Sequence, residues 1–293
     1  MSVSSYFLGL PLWGLSDWRG NLYSADARPA DFLRQYARVF NTVEGNTTFY
    51  SVPTAETVER WREATPASFR FCFKFPQRIT HELRLRGAGR ETTEFLRRMT
   101  PLGERLGPFM IQFPRALGPS DLDLLGGYLG SLPEGFRYAV EVRHPALHRS
   151  PGSAALSRVL RRLGAERVIM DTRALRAGDP DHPDVAAARH AKPDLPVAPE
   201  VTGRHPLVRW VGHPSAAVSD PWLEDWARVL GAWIRGGWQP YFMVHCPNNL
   251  HAPPFARRFH RMLAGDLDVG SLAPWPGETA ETADGQLSLL GPF

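Results

Sequence analysis

Eight short apolar runs recur along the chain, at Tyr6–Leu10, Val39–Val43, Phe69–Phe73, Phe109–Phe113, Tyr138–Val142, Val168–Met170, Leu207–Val211 and Tyr241–His245. Their starts lie roughly thirty to forty residues apart, about the length of one strand–helix unit. Most of the runs are nearly unbroken rather than alternating, the pattern of strands buried on both faces of a parallel sheet. Segments of helical period lie between them. Phe32, Leu33, Tyr36 and Val39 share one face of 31–39. Val58 and Trp61 share a face of 55–64, with Thr54 as its N-cap. Phe95, Leu96, Met99 and Leu102 line 92–106, where Pro101 should kink or split the helix. Ser120 caps a helix to about Leu129, and 153–163 forms another. Asp220-Pro221 reads as an N-cap followed by proline at the first helical position, ahead of Leu223, Trp226, Val229, Leu230 and Trp233. Residues 254–263 close the series. Eight such units predict an α/β, TIM-barrel-like (β/α)8 fold, with parallel strands inside and helices outside. An open doubly wound sheet shares the periodicity.

The sixth connection breaks the rhythm. Residues 174–206 are rich in Pro, Asp, Ala and His, with one short helical candidate near Val185–His190. A long irregular loop is expected there, at the barrel mouth, where insertions and function concentrate. After about residue 266 the chain turns to Gly, Pro, Thr and Glu. The expected organisation is one barrel domain over 1–265 and a loosely ordered tail over 266–293. A chain of 293 residues is long enough for a single barrel.

Composition adds limits rather than detail. With 43% hydrophobic and 22% charged residues, the chain is an ordinary globular sequence. No uninterrupted apolar run approaches about 18 residues, so no membrane span is expected. The formal net charge of +4 comes mostly from scattered arginines and favours anionic ligands without implying nucleic acid. Two cysteines, Cys72 and Cys246, cannot build a structural zinc site alone and read as thiols. Without a basic stretch and apolar stretch at the N-terminus, a cytoplasmic location is expected.

The chemistry concentrates where the runs end, since polar residues at the carboxyl ends of barrel strands gather at one mouth. The densest segment follows the second run, where Glu44 is succeeded by Asn46, Thr48 and Tyr50. The carboxylate is expected to point into the mouth, with the others positioning a polyol or phosphate or satisfying one another. The third run ends in Lys74, a candidate carboxylate partner, anion binder, proton carrier or Schiff-base nucleophile, followed by His81, a candidate acid or base. Gln112 ends the fourth, and Glu141 and Arg143, two apart and so on one side of the strand, end the fifth. Their structural alternative is a salt bridge bracing the barrel. Asp171, Arg209, Asn248 and Asn249 follow at the sixth, seventh and eighth.

Other chemistries find less in the residues. Glu141, Asp171, His213 and His245 offer zinc or manganese donors, but no HxH or HExxH pair fixes two of them together. Glu44 and Glu141 would serve glycoside hydrolysis only at the right separation. No GxGxxG or GxxxxGK[ST] phosphate loop and no GxSxG elbow is present. Trp13, Trp18 and Trp210 can stack on a sugar or base, although packing is the commoner use of such a residue.

Taken together, these residues resemble the YecE-like family, a bacterial group classed as a domain of unknown function. The resemblance spans about residues 7–265. It is carried by Trp18-Arg19-Gly20 with Tyr23, then Thr42-Val43-Glu44 through Asn46, Thr48, Phe49, Tyr50 and Pro53. It continues with Trp61, Thr65-Pro66, Phe69, Phe71, Lys74, Ile79-Thr80-His81, Leu106-Gly107 and Gln112-Phe113-Pro114. Val140-Glu141 with Arg143, Asp171, Arg209 and Asn248-Asn249 complete it. The resemblance implies a TIM-barrel-like fold and supplies no reaction. The chain departs from the family pattern at Gly45, where an aliphatic residue is usual, at Pro11 and Leu12, where small polar residues are usual, and at Leu147, in place of tryptophan. Val211 stands where the family has histidine, a place His213 is a candidate to fill.

The leading expectation is an enzyme acting at the barrel mouth on a small polar, anionic or polyol-like molecule such as a phosphorylated sugar. Lys74, Arg143 and Arg209 would bind negative charge, Glu44 or Glu141 would act as general base and His81 as acid. Glu44→Gln should then abolish turnover and preserve the fold. The alternatives are a nucleic-acid-processing or binding barrel, for which no Lys/Arg-dense stripe is present, and a non-catalytic ligand sensor. No cofactor is required by the sequence, and a divalent metal is the minor alternative.

Overall fold

The computed structural model describes residues 6–279. Eight parallel strands, β1 (Phe7–Leu10), β2 (Thr42–Gly45), β3 (Arg70–Phe73), β4 (Phe109–Phe113), β5 (Tyr138–Val142), β6 (Glu166–Asp171), β7 (Leu207–Val211) and β8 (Tyr241–His245), run in the order β3-β2-β1-β8-β7-β6-β5-β4. The two ends of that order meet. Phe75 N–H donates to the Met110 carbonyl at 2.8 Å, Gly107 N–H donates to the Phe71 carbonyl at 2.9 Å, and Lys74 bridges Met110. The sheet is therefore a nearly closed barrel and not an open doubly wound one.

Helices wrap the outside: α1 (Phe32–Val39), the single turn α2 (Thr47–Tyr50), α3 (Ala55–Ala64), α4 (Gly89–Met99), α5 (Leu122–Gly130), α6 (Gly152–Arg162), α7 (Arg173–Ala177), α8 (Pro183–Ala191), α9 (Ala216–Arg235) and α10 (Ala252–Ala264). Thr54 caps α3 by accepting from Thr57 N–H, and the 92–106 segment breaks after Met99 into a tighter turn that carries Pro101. Several boundaries differ from the sequence pattern. Val39 ends α1, because it shares the buried face of Phe32, Leu33 and Tyr36; β2 begins only at Thr42, opposite Arg70. The sixth connection is largely irregular and carries α8 over the short helical candidate, with α7 as an addition. Helix α9 starts at Ala216, five residues before Pro221. Ser219 ties its first turn down by accepting from His213 N–H and donating to the His213 carbonyl, and Asp220 pairs with Arg258 instead of capping.

Two apolar layers organise the core. The larger fills the space between strands and helices with close aromatic packing, as where Trp61 stacks on Phe73 at 5.3 Å. Full burial of one such ring is worth about 1.5–3 kcal/mol. The smaller lies inside the barrel and is formed by Phe7, Cys72, Met110, Ala139, Val168, Leu207, Tyr241 and Met243. Side chains alternate across a strand, so residues two positions beyond these also face inward. That puts Lys74, Gln112, Glu141, Arg209 and His245 in one layer above the apolar plug. Both cysteines are buried and unpaired.

Gly9 lies opposite Thr42 in the β1–β2 pair, and a Cβ there would run into the Thr42 carbonyl. Gly9→Ala is expected to cost about 1–3 kcal/mol by overpacking, read as a lower urea midpoint with an unchanged slope. Within the part of the expected tail before residue 280, Trp275 and Gly277 are buried. Trp275 is buried beneath Arg257, whose guanidinium lies 3.4 Å from the ring centroid, and Arg257 pairs with Glu278 at 2.7 Å. Residues 280–293 of that tail lie outside the described residues.

Candidate functional site

The barrel mouth opens into a cleft of about 870 Å³. Its floor is an ion-pair array centred on Arg209. The Arg209 Nε and Nη2 donate to Glu44 Oε2 and Oε1 at 2.8 and 2.6 Å, and its Nη1 donates to Glu141 Oε2. Glu141 Oε1 accepts from Gln112 Nε2 at 3.0 Å and from Arg143 Nε. Glu44 also accepts from Asn46 Nδ2 at 2.7 Å and meets His245 Nε2 at 3.1 Å. Glu44, Glu141, Arg209 and His245 are all buried. The array exists because five strands each bring one inward side chain to the same height.

This packing sets the protonation states. Burial would raise both carboxyl groups, but Arg209 and His245 hold Glu44 well below the usual carboxylate range. Arg143, Arg209 and Lys74 do the same for Glu141. Burial pushes His245 down to about 4 against the pull of Glu44. The ring is neutral at pH 7, and its Nε2–H is the donor to Glu44. As they stand, the two carboxylates are firmly ionised hydrogen-bond acceptors rather than bases poised near neutrality.

Lys74 is different. Its backbone is clamped, with N–H donating to the Gly45 carbonyl at 3.2 Å and the carbonyl accepting from Thr48 Oγ1 at 2.6 Å. Its Nζ sits 4.1 Å over the Phe49 ring, and among the described residues no carboxylate lies within 4.0 Å of it. Burial brings its pKa down to about 8. Lys192, at the C-terminal end of α8, also lines the cleft without an ion pair among the described residues, and burial lowers its pKa too. Helix α8 is held over the mouth by Leu175, Val185 and Val211, so the Val211 departure serves as an apolar anchor for the lid segment.

The other expected residues divide. Asn46 and Arg143 line the cleft, and Tyr50 stands at its rim, 74% exposed. Thr48 is buried and bonded to the Gly45 and Lys74 carbonyls, so it braces Lys74 and does not face the cleft. Gln112 lies beneath the cleft and orients Glu141. His81 lies in an adjoining cleft that shares Arg143 and Lys192; its Nδ1 is 2.8 Å from Thr80 Oγ1, and burial and then Lys74 lower its pKa. Asn249 lines the mouth in a left-handed conformation (φ 60°), and its carbonyl accepts from the Trp18 indole at 3.1 Å. Asn248 holds Asp184 of α8 at 2.9 Å rather than facing the cleft.

Asp171 requires a correction. Val168 faces the barrel interior, so Asp171, three residues on, points outward; it accepts from the Trp226 indole at 2.7 Å and pairs with Arg173. It is not a ligand-binding residue of this mouth. Arg209 lines the cleft as expected, and three of its five N–H groups donate to Glu44 and Glu141. His213 does not replace the family histidine; its ring packs on His182 at 5.6 Å. The four residues weighed as metal ligands therefore do not converge, and among the described residues no three His, Cys, Asp or Glu are grouped to hold a metal ion. The Arg209 guanidinium bridges Glu44 and Glu141, so they do not flank the open gap that glycoside hydrolysis needs. Trp18 and Trp210 are buried packing residues, whereas Trp13 lines the cleft. Sequence reasoning missed Lys192 and Phe49. Phe49 sits inside the densest polar segment, and Lys192 carries one signal, the rarity of lysine in this chain.

Residues 7–279 match the family described as "Protein of unknown function DUF72". The UPF0759 protein YecE of Escherichia coli strain K12 is 37% identical over 277 residues, covering 94% of this chain and 98% of that protein. Its counterpart in Escherichia coli O157:H7 is 36% identical over the same length. Among solved structures, a DUF72 family protein (EF0366) from Enterococcus faecalis V583 superposes with a TM-score of 0.68 at 20% identity, covering 92% of this chain and 98% of that one. A DUF72 family protein (TM1631) from Thermotoga maritima MSB8 gives 0.65 at 23% identity, covering 88% and 99%. At these identities the structural likeness speaks to the fold alone. Among the described residues, no helix is long and apolar enough to cross a membrane.

Proposed function

Because the chain belongs to the DUF72 family, whose description names no reaction, we propose from the site itself that the barrel mouth binds a small anionic molecule and moves protons on it. The substrate class is a phosphorylated or carboxylated, sugar-like metabolite. One observation carries this reading: Lys74 and Lys192 face the cleft with no carboxylate among the described residues paired to either, while the floor array balances two carboxylates against Arg209 and Arg143. A partly desolvated ammonium without a counter-charge is costly, and an anionic ligand supplies that charge. Lys74 is the group suited to exchange a proton near neutral pH, with His81 at the adjoining cleft as a second. Glu44 and Glu141 fix the floor's geometry and charge. Asn46 and Tyr50 offer hydrogen bonds to hydroxyl groups.

Thermal-shift titration with inorganic phosphate, pyrophosphate, citrate and glycerol 3-phosphate, against chloride at matched ionic strength, tests the reading. A ligand at a hundred times its Kd is expected to add about 2.7 kcal/mol, and Lys192→Met should weaken it. Indifference to every anion at low salt would refute the proposal. A second expectation concerns the empty site. Lys74→Met should stabilise the ligand-free protein at pH 7 by on the order of 1 kcal/mol while impairing ligand binding, a trade of stability against function. Urea unfolding of the variant checks it; a less stable variant would mean the ammonium is well solvated.

A further inference from the structure

The chain contains 32 arginines and only two lysines, Lys74 and Lys192. Both lysines line the one cleft, which is formed by 22 of the 293 residues, so chance placement explains little. Where a fixed positive charge suffices, the same cleft uses arginine, at Arg143 and Arg209. Arginine cannot lose its proton or act as an amine nucleophile, and lysine can do both. The lysines thus stand where something besides charge is required.

Their settings differ. Lys74 projects from a clamped backbone at the end of β3, with its ammonium over the Phe49 ring and, among the described residues, no carboxylate within ion-pair distance. In the same inward layer lies the array of Glu44, Arg209 and Glu141. Lys192 comes from α8, on the lid side, and lines both the main cleft and the adjoining one alongside Arg143. A molecule between them would meet a rigid amine near the floor and a cation near the rim.

Resting on the anionic-substrate reading above, we propose that Lys74 is an imine-forming nucleophile toward a carbonyl group of that substrate, while Lys192 holds the substrate's anionic end. The neutral amine of Lys74 attacks the carbonyl carbon, a C–N bond forms, and the carbonyl π pair moves to oxygen, which takes up a proton. The nitrogen loses that proton, the resulting hydroxyl takes up a second proton from solvent and leaves as water, and the nitrogen lone pair forms the protonated C=N bond, whose release of a proton to solvent balances the one taken up. Hydrolysis reverses these steps and returns the amine, so no oxidant or reductant is consumed. A pKa brought down to about 8 by burial leaves an appreciable neutral fraction at physiological pH, which an exposed lysine near 10.4 lacks. The ionised Glu141 is close enough to act on the charge of Lys74 and would favour the cationic imine as it forms.

The scarcity of lysine makes the test clean. The full-length protein is incubated with glyceraldehyde 3-phosphate and sodium cyanoborohydride near neutral pH, and the reduced adducts are mapped by peptide mass. The expected result is an adduct on Lys74 that saturating glycerol 3-phosphate suppresses by roughly tenfold or more, with labelling of the terminal amine unchanged. Lys74→Arg, which keeps the charge, should abolish that adduct and leave the fold intact by circular dichroism. The wild-type map stands by itself if the variant fails to fold. An adduct on Lys74 formed equally well from unphosphorylated glyceraldehyde, without protection, would keep the imine and overturn the anionic reading. A thermal shift with glycerol 3-phosphate but adducts confined to Lys192 or the terminal amine would overturn the imine and keep the anionic reading. Neither adduct on Lys74 nor shift would overturn both.

Discussion

Replacing Arg209 with methionine is expected to destabilise the fold by about 3–5 kcal/mol. Natural domains have only about 5–15 kcal/mol in total, so this one change threatens the native state. The cause is not the loss of three favourable contacts as such. Glu44 and Glu141 would stay buried with their shared cation gone. Glu44 would keep only Asn46 and the neutral His245 as donors, and Glu141 would keep Gln112 and Arg143. Arg209→Lys should recover part of the loss by restoring charge without the fork that reaches both carboxylates. Adding Glu44→Gln to the methionine variant should also recover part, since it removes one orphaned charge, and the two changes will be non-additive by 1 kcal/mol or more. Urea midpoints of the single and double variants measure this coupling. A methionine variant as stable as wild type would mean the carboxylates are hydrated rather than held by Arg209.

The same geometry changes what Glu44→Gln is expected to do. From sequence alone the variant should stop turnover and spare the fold. In the structure Glu44 accepts two bonds from Arg209, so the substitution weakens the fold as well, and lost activity would not by itself identify a base. The informative substitutions are at Lys74, whose ammonium makes no ion pair among the described residues and rests on the Phe49 ring.

The barrel was legible because each strand is an apolar run long enough to stand out and spaced by one crossover. Closure was not, since it rests on hydrogen bonds between β3 and β4 that no local pattern encodes. The site was legible where a strand carries its own parity. In β5, Glu141 and Arg143 sit two apart, and both reach the interior. In β6, Val168, Ile169 and Met170 are all apolar, so no alternation tells inside from outside, and nothing local shows that Asp171 faces α9 rather than the mouth. Lys192 lies in the connection of 174–206, whose fold over the mouth depends on contacts among Leu175, Val185 and Val211. Those contacts are long-range, and composition did not announce them.

Acid should weaken the protein in two stages, and their order follows from the array. His245 has its folded pKa depressed to about 4, below the ordinary 6.5. Its contribution is complete above about 6.5 and is lost as pH falls toward 4, because the unfolded chain binds the proton first. At 1.36 kcal/mol per unit, this amounts to about 3 kcal/mol at most. His205, lowered to about 4 by burial, acts in the same window. Glu44 and Glu141 are also depressed, so their contribution is complete above the unfolded value of about 4.3 and is lost as pH falls below it. Stability should therefore decline from about pH 6.5 downward as the two histidines lose their contribution, and keep declining below about 4.3 as the carboxylates lose theirs. His245→Gln should flatten the first stage only in part, since His205 remains, and leave the second. In Arg209→Met the sign reverses for Glu44, whereas Glu141 still has Arg143 beside it. Buried without its main cation, Glu44 is raised rather than depressed, so its protonation relieves the variant and offsets part of the histidine loss as pH falls from 7 toward 5. Urea midpoints of wild type and both variants across pH 3 to 8 decide the matter. Parallel curves for wild type and Arg209→Met would contradict the claim that this arginine keeps Glu44 ionised.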